Sequence, residues 1–215
     1  MRIAIFDVCD TIYKVNTTFS FLDFYLTNNK KYFLLRKLSK SLPLRILNYI
    51  IYKLFKKDLI RYLSTLFLKN KNIEEIEKYT HKFVYNYLVN KTRKNIVEML
   101  DIYKMNGFKI ILMSGSYSFI IHEVAKFFSV DYFYASELEI VDKCYTGKYK
   151  KDILLTKYDL LKRDFKNFNK LVVVSNNKTD LKLMLSADES FAICNKEKDV
   201  KFWKFYKKIN CLKEY

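Results

Sequence analysis

The sequence is poor in residues that interrupt regular structure. Its 215 residues include three glycines and one proline, which excludes collagen-like and low-complexity proteins. Its four cysteines are scattered and form no C-x-x-C pair, so we expect reduced, structural thiols and no zinc site. No uncharged apolar run approaches the roughly 20 residues that span a bilayer. The first apolar run is short and ends in acids, unlike a signal peptide, and we expect a cytoplasmic protein.

What the sequence has in excess is positive charge. Its 40 Lys and Arg residues outnumber 23 Asp and Glu residues, which gives a formal net charge of +17. Such a chain attracts anions, and nucleic acid, anionic lipid and phosphorylated substrates all fit that charge. Half of the residues are apolar, which is enough for a hydrophobic core, and the length suits one domain with an insert.

The first 13 residues combine a predicted strand with a group of polar side chains. Arg2–Phe6 is an apolar run typical of a buried parallel strand. Asp7, Asp10 and Thr11 follow it at the strand's carboxyl end, where open α/β sheets place their chemistry. A carboxylate there can bind a hard cation or attack phosphorus. Taken alone, the stretch fits equally well a loop that caps the next segment.

Residues 14–90 have a helical pattern with no convincing strand. Leu42, Ile46, Ile50 and Leu54 recur at four-residue spacing and form one apolar stripe. Between residues 30 and 71, twelve Lys and Arg residues accompany a single acid, Asp58. This stretch fits either a surface for anionic lipid or a lipid-linked substrate, or a solvated face of a lysine-rich protein, which is the simpler interpretation. Nucleic acid is a weaker candidate, because no recognition motif accompanies the charge.

From residue 92 onward, helices and strands are predicted to alternate. Buried strands are expected at 109–113 and 170–174, an extended segment at 132–141, a turn at 145–147 and a short strand at 191–193. Helices are expected at 92–105, 117–129, 154–163 and 181–187, with a basic helix closing the chain. The three buried strands end in oxygen-rich turns, which places the polar turns on one edge of a parallel sheet.

Four motifs in this order resemble those of the haloacid dehalogenase superfamily, and most of all its phosphoserine-phosphatase-like branch. Asp7-x-x-x-Thr11 is similar to the first motif, and Ser114-Gly115-Ser116 is similar to the second. Lys157 resembles the third motif, and Ser175-Asn176-x-x-x-Asp180 resembles the fourth. The resemblance runs nearly end to end, and the family assignment rests on the order of the motifs, since no single motif is decisive.

The resemblance implies both an architecture and a division of the chain. The expected fold is α/β, a Rossmann-like three-layer α/β/α core with a parallel sheet and an inserted α-helical cap. Residues 1–13 and 91–215 would form the catalytic core, and residues 14–90 would form the helical cap. The cap of such enzymes selects the substrate and excludes water from the reaction.

The resemblance also implies how a phosphoryl group would be held. Asp7 would attack phosphorus and form an aspartyl-phosphate, while Thr11, Ser114 and Gly115 would contact the phosphoryl group. Lys157 would neutralise the charge of that group and of Asp7. Positioned donors and cations are typically the largest catalytic contribution to such a reaction. Taken singly, the serine and the lysine also fit a capping hydroxyl and a surface amine.

The same resemblance implies a Mg²⁺ site and shows two departures from the family pattern. Asp7, Asp180, Asn176 and the backbone carbonyl of Cys9 would hold Mg²⁺, which prefers a few carboxylates, waters and substrate phosphate. Asn176 stands where the family usually has Asp, so we predict weaker Mg²⁺ binding. Cys9 replaces the usual second Asp, the general acid and base, and a thiol is normally a structural hydrophobe. Asp10 either takes over that role, worth roughly 10²–10⁴-fold, or is a turn acid bonded to nearby backbone.

These observations predict a Mg²⁺-dependent phosphomonoesterase. Its substrate would be a small or lipid-linked phosphorylated metabolite, and by analogy alone one used in surface-polysaccharide synthesis. The basic cap suits peripheral contact with the inner face of an anionic membrane. Two alternatives stay open: a degenerate domain of the family that binds a phosphorylated ligand or partner without turnover, and a hydrolase of another reaction class, acting on phosphonates or haloacids.

Overall fold

One sheet of eight strands runs through the protein in a computed structural model that describes residues 1–130 and 132–214. The strands are β1 (Arg2–Phe6), β2 (Lys71–Asn72), β3 (Lys109–Tyr117), β4 (Tyr132–Val141), β5 (Cys144–Lys151), β6 (Lys170–Ser175), β7 (Glu189–Cys194) and β8 (Ile209–Lys213). Their order across the sheet is β2-β5-β4-β3-β1-β6-β7-β8. Each neighbouring pair in the run β4-β3-β1-β6-β7-β8 is parallel. Strand β5 pairs antiparallel with β4, and β2 pairs antiparallel with β5.

The described residues also form ten α-helices. They are α1 (Thr17–Tyr25), α2 (Lys30–Leu38), α3 (Leu42–Phe55), α4 (Leu59–Thr65), α5 (Ile73–Lys82), α6 (Lys94–Met105), α7 (Ser118–Phe127), α8 (Lys157–Asp164), α9 (Leu181–Ser186) and α10 (Glu197–Trp203). Asn16, Asn29 and Asp58 cap α1, α2 and α4, each accepting a hydrogen bond from the N–H three residues later. The helical insert after β1 is present as predicted, although the two-residue β2 interrupts it. Its division from the core as a separate cap remains a prediction.

The central strands bury both faces, because successive side chains of a strand point to opposite sides. Ile3 and Ile5 pack into one apolar cluster together with Trp203, and Ala4 and Phe6 pack into the other. Each cluster is covered by helices, so the protein has helix, sheet and helix layers. This is the three-layer α/β/α architecture with an inserted helical segment that the sequence predicts.

The turn predicted at 145–147 is wrong, because these residues lie inside β5. The β4–β5 hairpin turns two residues earlier, at Asp142 and Lys143, which both have positive φ. Gly147 has φ +80°, a conformation that favours glycine, and a Cβ there would lie 3.1 Å from the Leu66 Cα. The glycine therefore allows β5 to pass close to the backbone of the helical segment.

Two further differences from the prediction concern the end of β3 and the end of the chain. β3 continues past residue 113 to Tyr117, so the Ser114-Gly115-Ser116 motif lies in the last part of the strand, where its pairing with β4 is irregular. The chain closes with β8, an edge strand parallel to β7, rather than with the predicted basic helix. The helix that precedes β8, α10, contains two lysines and two acids.

The apolar stripe of α3 faces away from the protein. Leu42, Ile46, Ile50 and Leu54 are exposed, and α3 contains no buried residue. None of the helices in the described residues combines the length and the apolarity needed to cross a membrane.

Candidate active site

Asp7 occupies the centre of the polar edge of the sheet. It follows β1, and its N–H donates to the carbonyl of Val174 at the end of the neighbouring β6. Its side chain is nearly buried and both carboxylate oxygens have donors. Lys157 Nζ donates to Oδ1 at 2.8 Å, and the Thr11 hydroxyl donates to Oδ2 at 3.1 Å. The carboxylate is thus fixed in orientation at the end of a rigid strand.

Lys157 joins two carboxylates that come from distant parts of the chain. It begins α8, it is 2% exposed, and its ammonium donates to Asp7 Oδ1 and, at 2.7 Å, to Asp180 Oδ2. Burial disfavours the ammonium, but the two carboxylates outweigh burial and raise the pKa of Lys157. Ser175 donates a further hydrogen bond to Asp180 Oδ2. One buried cation between two buried carboxylates leaves the centre with a net negative charge.

Thr11 and Asn176 connect the loops that follow β1 and β6. The Thr11 hydroxyl lies 3.2 Å from Asn176 Oδ1 and accepts a hydrogen bond from the Asn176 N–H at 3.0 Å. Since this hydroxyl also contacts Asp7, the structure brings Asp7, Thr11, Lys157, Asn176 and Asp180 into one network. The sequence analysis names all five as site residues.

Ser114 is buried at the side of this network, next to the thiol of Cys9. Its Oγ lies 3.6 Å from Cys9 Sγ and accepts a hydrogen bond from the Ser116 N–H. Gly115 and Ser116, rather than Ser114, line the cavity in front of Asp7. The structure therefore places the second motif at the site, with its first serine pointing toward Cys9.

Cys9 takes its hydrogen-bond partners from both sides of the site. Its Sγ lies 2.9 Å from the hydroxyl of Thr17, the first residue of α1, and Ser114 lies on its other side. Burial, and then the neighbouring Asp7 carboxylate, raise the pKa of the Cys9 thiol. The thiol stays protonated at neutral pH, and a thiolate nucleophile is disfavoured at this position.

Asp10 has an unusual backbone conformation beside the same cavity. Its φ is +53°, a left-handed conformation that Asp tolerates better than most side chains. Its carbonyl accepts hydrogen bonds from Arg93 and Asn195, which hold the turn in place. Burial, and then Asp7, raise the pKa of the Asp10 carboxyl, while Arg93 opposes the rise. Asp10 lines the cavity, and its carboxyl keeps a proton to higher pH than an exposed carboxyl does.

A cavity of about 430 Å³ lies between this edge of the sheet and the helical segment. Asp7, Asp10 and Asn176 line it from the sheet side. Six residues line it from the helical side: Asn16, Thr18, Phe19, Tyr52, Asp58 and Arg61. The volume suits a small ligand, and the mixed lining means that residues outside the four motifs contact whatever enters.

Arg61 is a site residue that the sequence analysis does not single out. It lies on α4, is nearly buried, and forms a two-bond ion pair with Asp152 at 3.0 and 3.3 Å. It also donates to the carbonyl of Gly115. The one signal in the sequence is Asp58, the single acid of the basic stretch, which caps the helix that carries Arg61. Arg61 thus ties the helical segment to the second motif.

The oxygens at the centre suit a hard cation. Asp7 and Asp180 supply carboxylates, and Asn176 and the carbonyl of Cys9 are neutral oxygen donors, a set that Mg²⁺ accepts. A cation would also offset the negative charge that Lys157 leaves uncompensated. Among the described residues, no group of three or more His, Cys, Asp or Glu side chains could hold a metal. Any Mg²⁺ there would depend on two carboxylates, on water and on substrate oxygens.

Comparisons with known proteins agree on the fold. The family described as haloacid dehalogenase-like hydrolase matches residues 4–185. A protein of unknown function from Bordetella pertussis Tohama I has a similar structure, with a TM-score of 0.77 and 14% identity over 98% of this chain and 97% of that one.

Two further structures of similar fold come from phosphatase-related proteins. A substrate-bound phosphoserine phosphatase has a TM-score of 0.67 and 18% identity, over 98% of this chain and 92% of that one. A phosphoserine phosphohydrolase-like protein from Francisella tularensis subsp. tularensis SCHU S4 has a TM-score of 0.61 and 16% identity, over 97% and 94%. No curated protein matches the chain in sequence.

Proposed function

The chain belongs to the haloacid dehalogenase-like hydrolases, and from this premise we propose that it is a Mg²⁺-dependent phosphomonoesterase that reacts through an aspartyl-phosphate at Asp7. The observation that carries the proposal is the arrangement around that carboxylate. Lys157 and Thr11 hold its two oxygens at the end of β1, facing a cavity of suitable size. A carboxylate fixed in this way is a preorganised nucleophile.

The reaction would proceed in two displacements. An oxygen of Asp7 attacks phosphorus, the bond from phosphorus to the leaving-group oxygen breaks, and that oxygen takes up a proton. Water then attacks the phosphorus of the aspartyl-phosphate and releases inorganic phosphate and the free carboxylate. The Lys157 ammonium would balance negative charge throughout. Gly115 lines the cavity and would contact the phosphoryl group, and Ser114, whose Oγ lies 3.6 Å from Cys9 Sγ, would have to turn toward the cavity to do the same. Mg²⁺ bound at Asp7, Asp180, Asn176 and the Cys9 carbonyl would neutralise charge on the phosphoryl oxygens.

Asp10 is the proposed proton donor to the leaving group and proton acceptor from water. Its raised pKa and its place in the cavity lining support this role. The neighbouring Cys9 thiol is directed toward Thr17 and Ser114 and has a raised pKa, so it is a poor acid for this purpose. We expect Asp10→Asn to lower turnover by roughly 10²-fold or more, and Cys9→Ala to lower it by much less.

The substrate class follows from the cavity and its charge. The proposed substrate is a small or lipid-linked phosphorylated metabolite whose phosphate reaches Asp7 and whose remaining part lies against Tyr52 and Phe19 of the helical segment. A domain that binds a phosphorylated ligand without turnover is the second candidate, favoured specifically by Cys9 and Asn176. Hydrolysis of phosphonates or haloacids has no specific support in the geometry.

The test is release of inorganic phosphate from a panel of phosphomonoesters in the presence of Mg²⁺. Wild type should turn over at least one ester, and Asp7→Asn should abolish turnover. Asp164→Asn, which alters a carboxylate paired with Arg163 on the surface of α8, is the matched control and should keep full activity. Acid-stable trapping of ³²P on wild type, but not on Asp7→Asn, would identify the intermediate. If wild type binds phosphorylated ligands but releases no phosphate at any pH, the binding function replaces this proposal.

A further inference from the structure

Helices α2 and α3 carry an unusual concentration of exposed apolar side chains. The described residues expose 22 large apolar side chains, and ten of them lie within residues 30–57. These ten are Phe33, Leu34, Leu38, Leu42, Ile46, Leu47, Tyr49, Ile50, Leu54 and Phe55. We call the exposed apolar and basic side chains of residues 30–57 the α2–α3 face. Single exposed apolar residues are ordinary, but contiguous patches mark interaction surfaces.

The two sides of α3 have different partners. On the inner side, Asn48 accepts a hydrogen bond from the N–H of Ile60, and Tyr52 lines the active-site cavity. On the outer side, Leu42, Ile46 and Ile50 follow one another at helical spacing and are 67%, 50% and 46% exposed. The helix is therefore anchored by one side and leaves an apolar stripe uncovered on the other.

Basic residues surround the apolar stripe, and acids are absent from it. Residues 30–57 contain nine Lys and Arg residues and no Asp or Glu. Of the ion pairs in the described part of the chain, only Arg36 with Asp23 involves this segment. The other eight basic residues are exposed: Lys30, Lys31, Lys37, Lys40, Arg45, Lys53, Lys56 and Lys57. The partner of this face must therefore supply both negative charge and a place for apolar side chains.

We propose that the α2–α3 face docks on an anionic lipid bilayer, with α3 lying in the plane of the headgroups. The apolar stripe would enter the boundary between headgroups and acyl chains, and the lysines would reach back to lipid phosphates. Each basic residue near an anionic surface adds roughly 1 kcal/mol of attraction, about fivefold in affinity. An anionic bilayer combines dense negative charge with an apolar layer directly beneath it, which matches both features of this face.

A second copy of the chain does not fit this face. Symmetric pairing through α3 would place the same patch of both copies together, and eight unpaired cations of each would repel those of the other. No acidic surface within residues 30–57 compensates them. Dimerisation is nevertheless measurable, and analytical ultracentrifugation would detect it.

Docking would also place the active site near the membrane surface. Tyr52 lies on the inner side of the helix whose outer side would contact lipid. Since a helix with its side chains is about 10 Å across, the cavity would lie about one helix diameter from the headgroups. This consequence rests on the proposed function and favours a phosphorylated substrate presented at a membrane, whereas the docking itself does not depend on catalysis.

The test is sedimentation of the full chain with vesicles of phosphatidylcholine, with and without phosphatidylglycerol. Wild type should sediment with the anionic vesicles only, and less so at high salt. Ile46→Gln with Ile50→Gln should weaken binding at least about tenfold by removing apolar contact. Lys53→Gln, Lys56→Gln and Lys57→Gln together should weaken it roughly 100-fold, about fivefold for each lysine.

Matched variants elsewhere separate this face from the overall charge. Ile102→Gln with Met105→Gln removes two exposed apolar residues from α6. Lys201→Gln, Lys204→Gln and Lys207→Gln remove three exposed lysines in and after α10. The first set should bind like wild type, and the second should lose much less affinity than the α3 lysine set.

Three results would overturn the proposal. The first is no sedimentation with anionic vesicles at low salt. The second is binding that Ile46→Gln with Ile50→Gln leaves unchanged, which would show only the attraction of a cationic protein. The third is a dimer in analytical ultracentrifugation that the same double variant dissociates, which would mean that a second copy covers the face. Phosphate release from a soluble ester without vesicles should be unchanged in this double variant, so a failed phosphatase proposal and a failed docking proposal are distinguishable.

Discussion

Charged side chains are buried and paired in the active-site network, whereas on the α2–α3 face they are exposed and mostly without acidic partners. In the network, Lys157 is buried and bonded to two carboxylates, and each of its neighbours is held by further hydrogen bonds. On the α2–α3 face, eight exposed basic residues surround apolar side chains and have no acidic partner among the described residues. Partnered charge in a low-dielectric site fixes geometry, whereas exposed charge leaves a surface ready for a partner from outside.

Removing the central cation, Lys157, should have the largest effect on stability and turnover. Lys157→Met leaves Asp7 and Asp180 adjacent and uncompensated, and loss of one member of a buried pair costs about 3–5 kcal/mol. Turnover should fall by roughly 10²–10³-fold, as when one positioned donor is lost. Urea unfolding and phosphate release measure the two effects. Lys162→Met, on the exposed side of the same helix, should change stability by less than about 0.5 kcal/mol. If both variants lost the same stability and turnover, Lys157 would not be the ionic centre of the site.

The ion pairs of the helical segment offer a second comparison. Arg61 and Asp152 join the segment to the sheet, with side chains 6% and 18% exposed, whereas Arg36 and Asp23 are 23% and 38% exposed within the segment. Arg61→Leu should lower the free energy of unfolding by about 3 kcal/mol. Asp152 loses a buried partner in this variant but keeps its hydrogen bond from the Ser136 hydroxyl. Arg36→Leu should cost about 1 kcal/mol or less.

A double-mutant cycle isolates the coupling in that comparison. Asp152→Asn is combined with Arg61→Leu, and Asp23→Asn with Arg36→Leu, and each set is unfolded in urea. The coupling should be larger for the pair that crosses to the sheet. Similar coupling for both pairs would mean that the helical segment is held to the sheet by its apolar packing instead.

Adding a charge to the network should have a smaller effect. Asn176→Asp supplies a third carboxylate beside Asp7 and Asp180, and we expect about tenfold tighter Mg²⁺ binding. Asn177→Asp adds the same charge one residue later, where the side chain caps the turn at Lys178–Asp180, and should have less effect. The measurement is a Mg²⁺ titration of phosphate release. Saturation of wild type below millimolar Mg²⁺, with no gain from Asn176→Asp, would contradict the weakened site.

The sequence predicts the buried parts of this molecule better than its edges. β1 and β6 lie where their apolar runs predict, because strands buried on both faces must be continuously apolar. β8 is not predicted, because it is an edge strand, half exposed and carrying polar residues, and it lacks that signal. Gly147 indicates a turn, yet its positive φ serves a close approach to Leu66 that only the fold creates.

The site shows the same limit. Asp7 and Asp180 come together as the motif order implies, since the carboxyl ends of parallel strands share one edge. Lys157, the first residue of α8, donates to both carboxylates. Arg61 escapes prediction, because one lysine-rich stretch offers many cations and only the fold selects the one that meets Asp152. For the α3 stripe, the sequence pattern predicts burial that the structure does not have. Its spacing is typical of a helix that packs on a core, but it is exposed.

Because the α3 stripe is exposed, a substitution in it should have the smallest effect on stability, and the same substitution in the core should have a much larger one. Ile111, on β3, is fully buried, and Ile111→Ala should cost about 2–5 kcal/mol, because it removes core packing and leaves a cavity. Ile46 places the same side chain on α3 at 50% exposure. Ile46→Ala should change stability by less than about 0.5 kcal/mol, because alanine's better helix propensity offsets the limited packing of an exposed side chain. Urea unfolding of both variants, without lipid, measures the difference. A destabilisation above about 1 kcal/mol for Ile46→Ala, outside the range of ordinary surface substitutions, would mean that the stripe is covered within the free protein, by another segment or another copy, and is not available to a membrane.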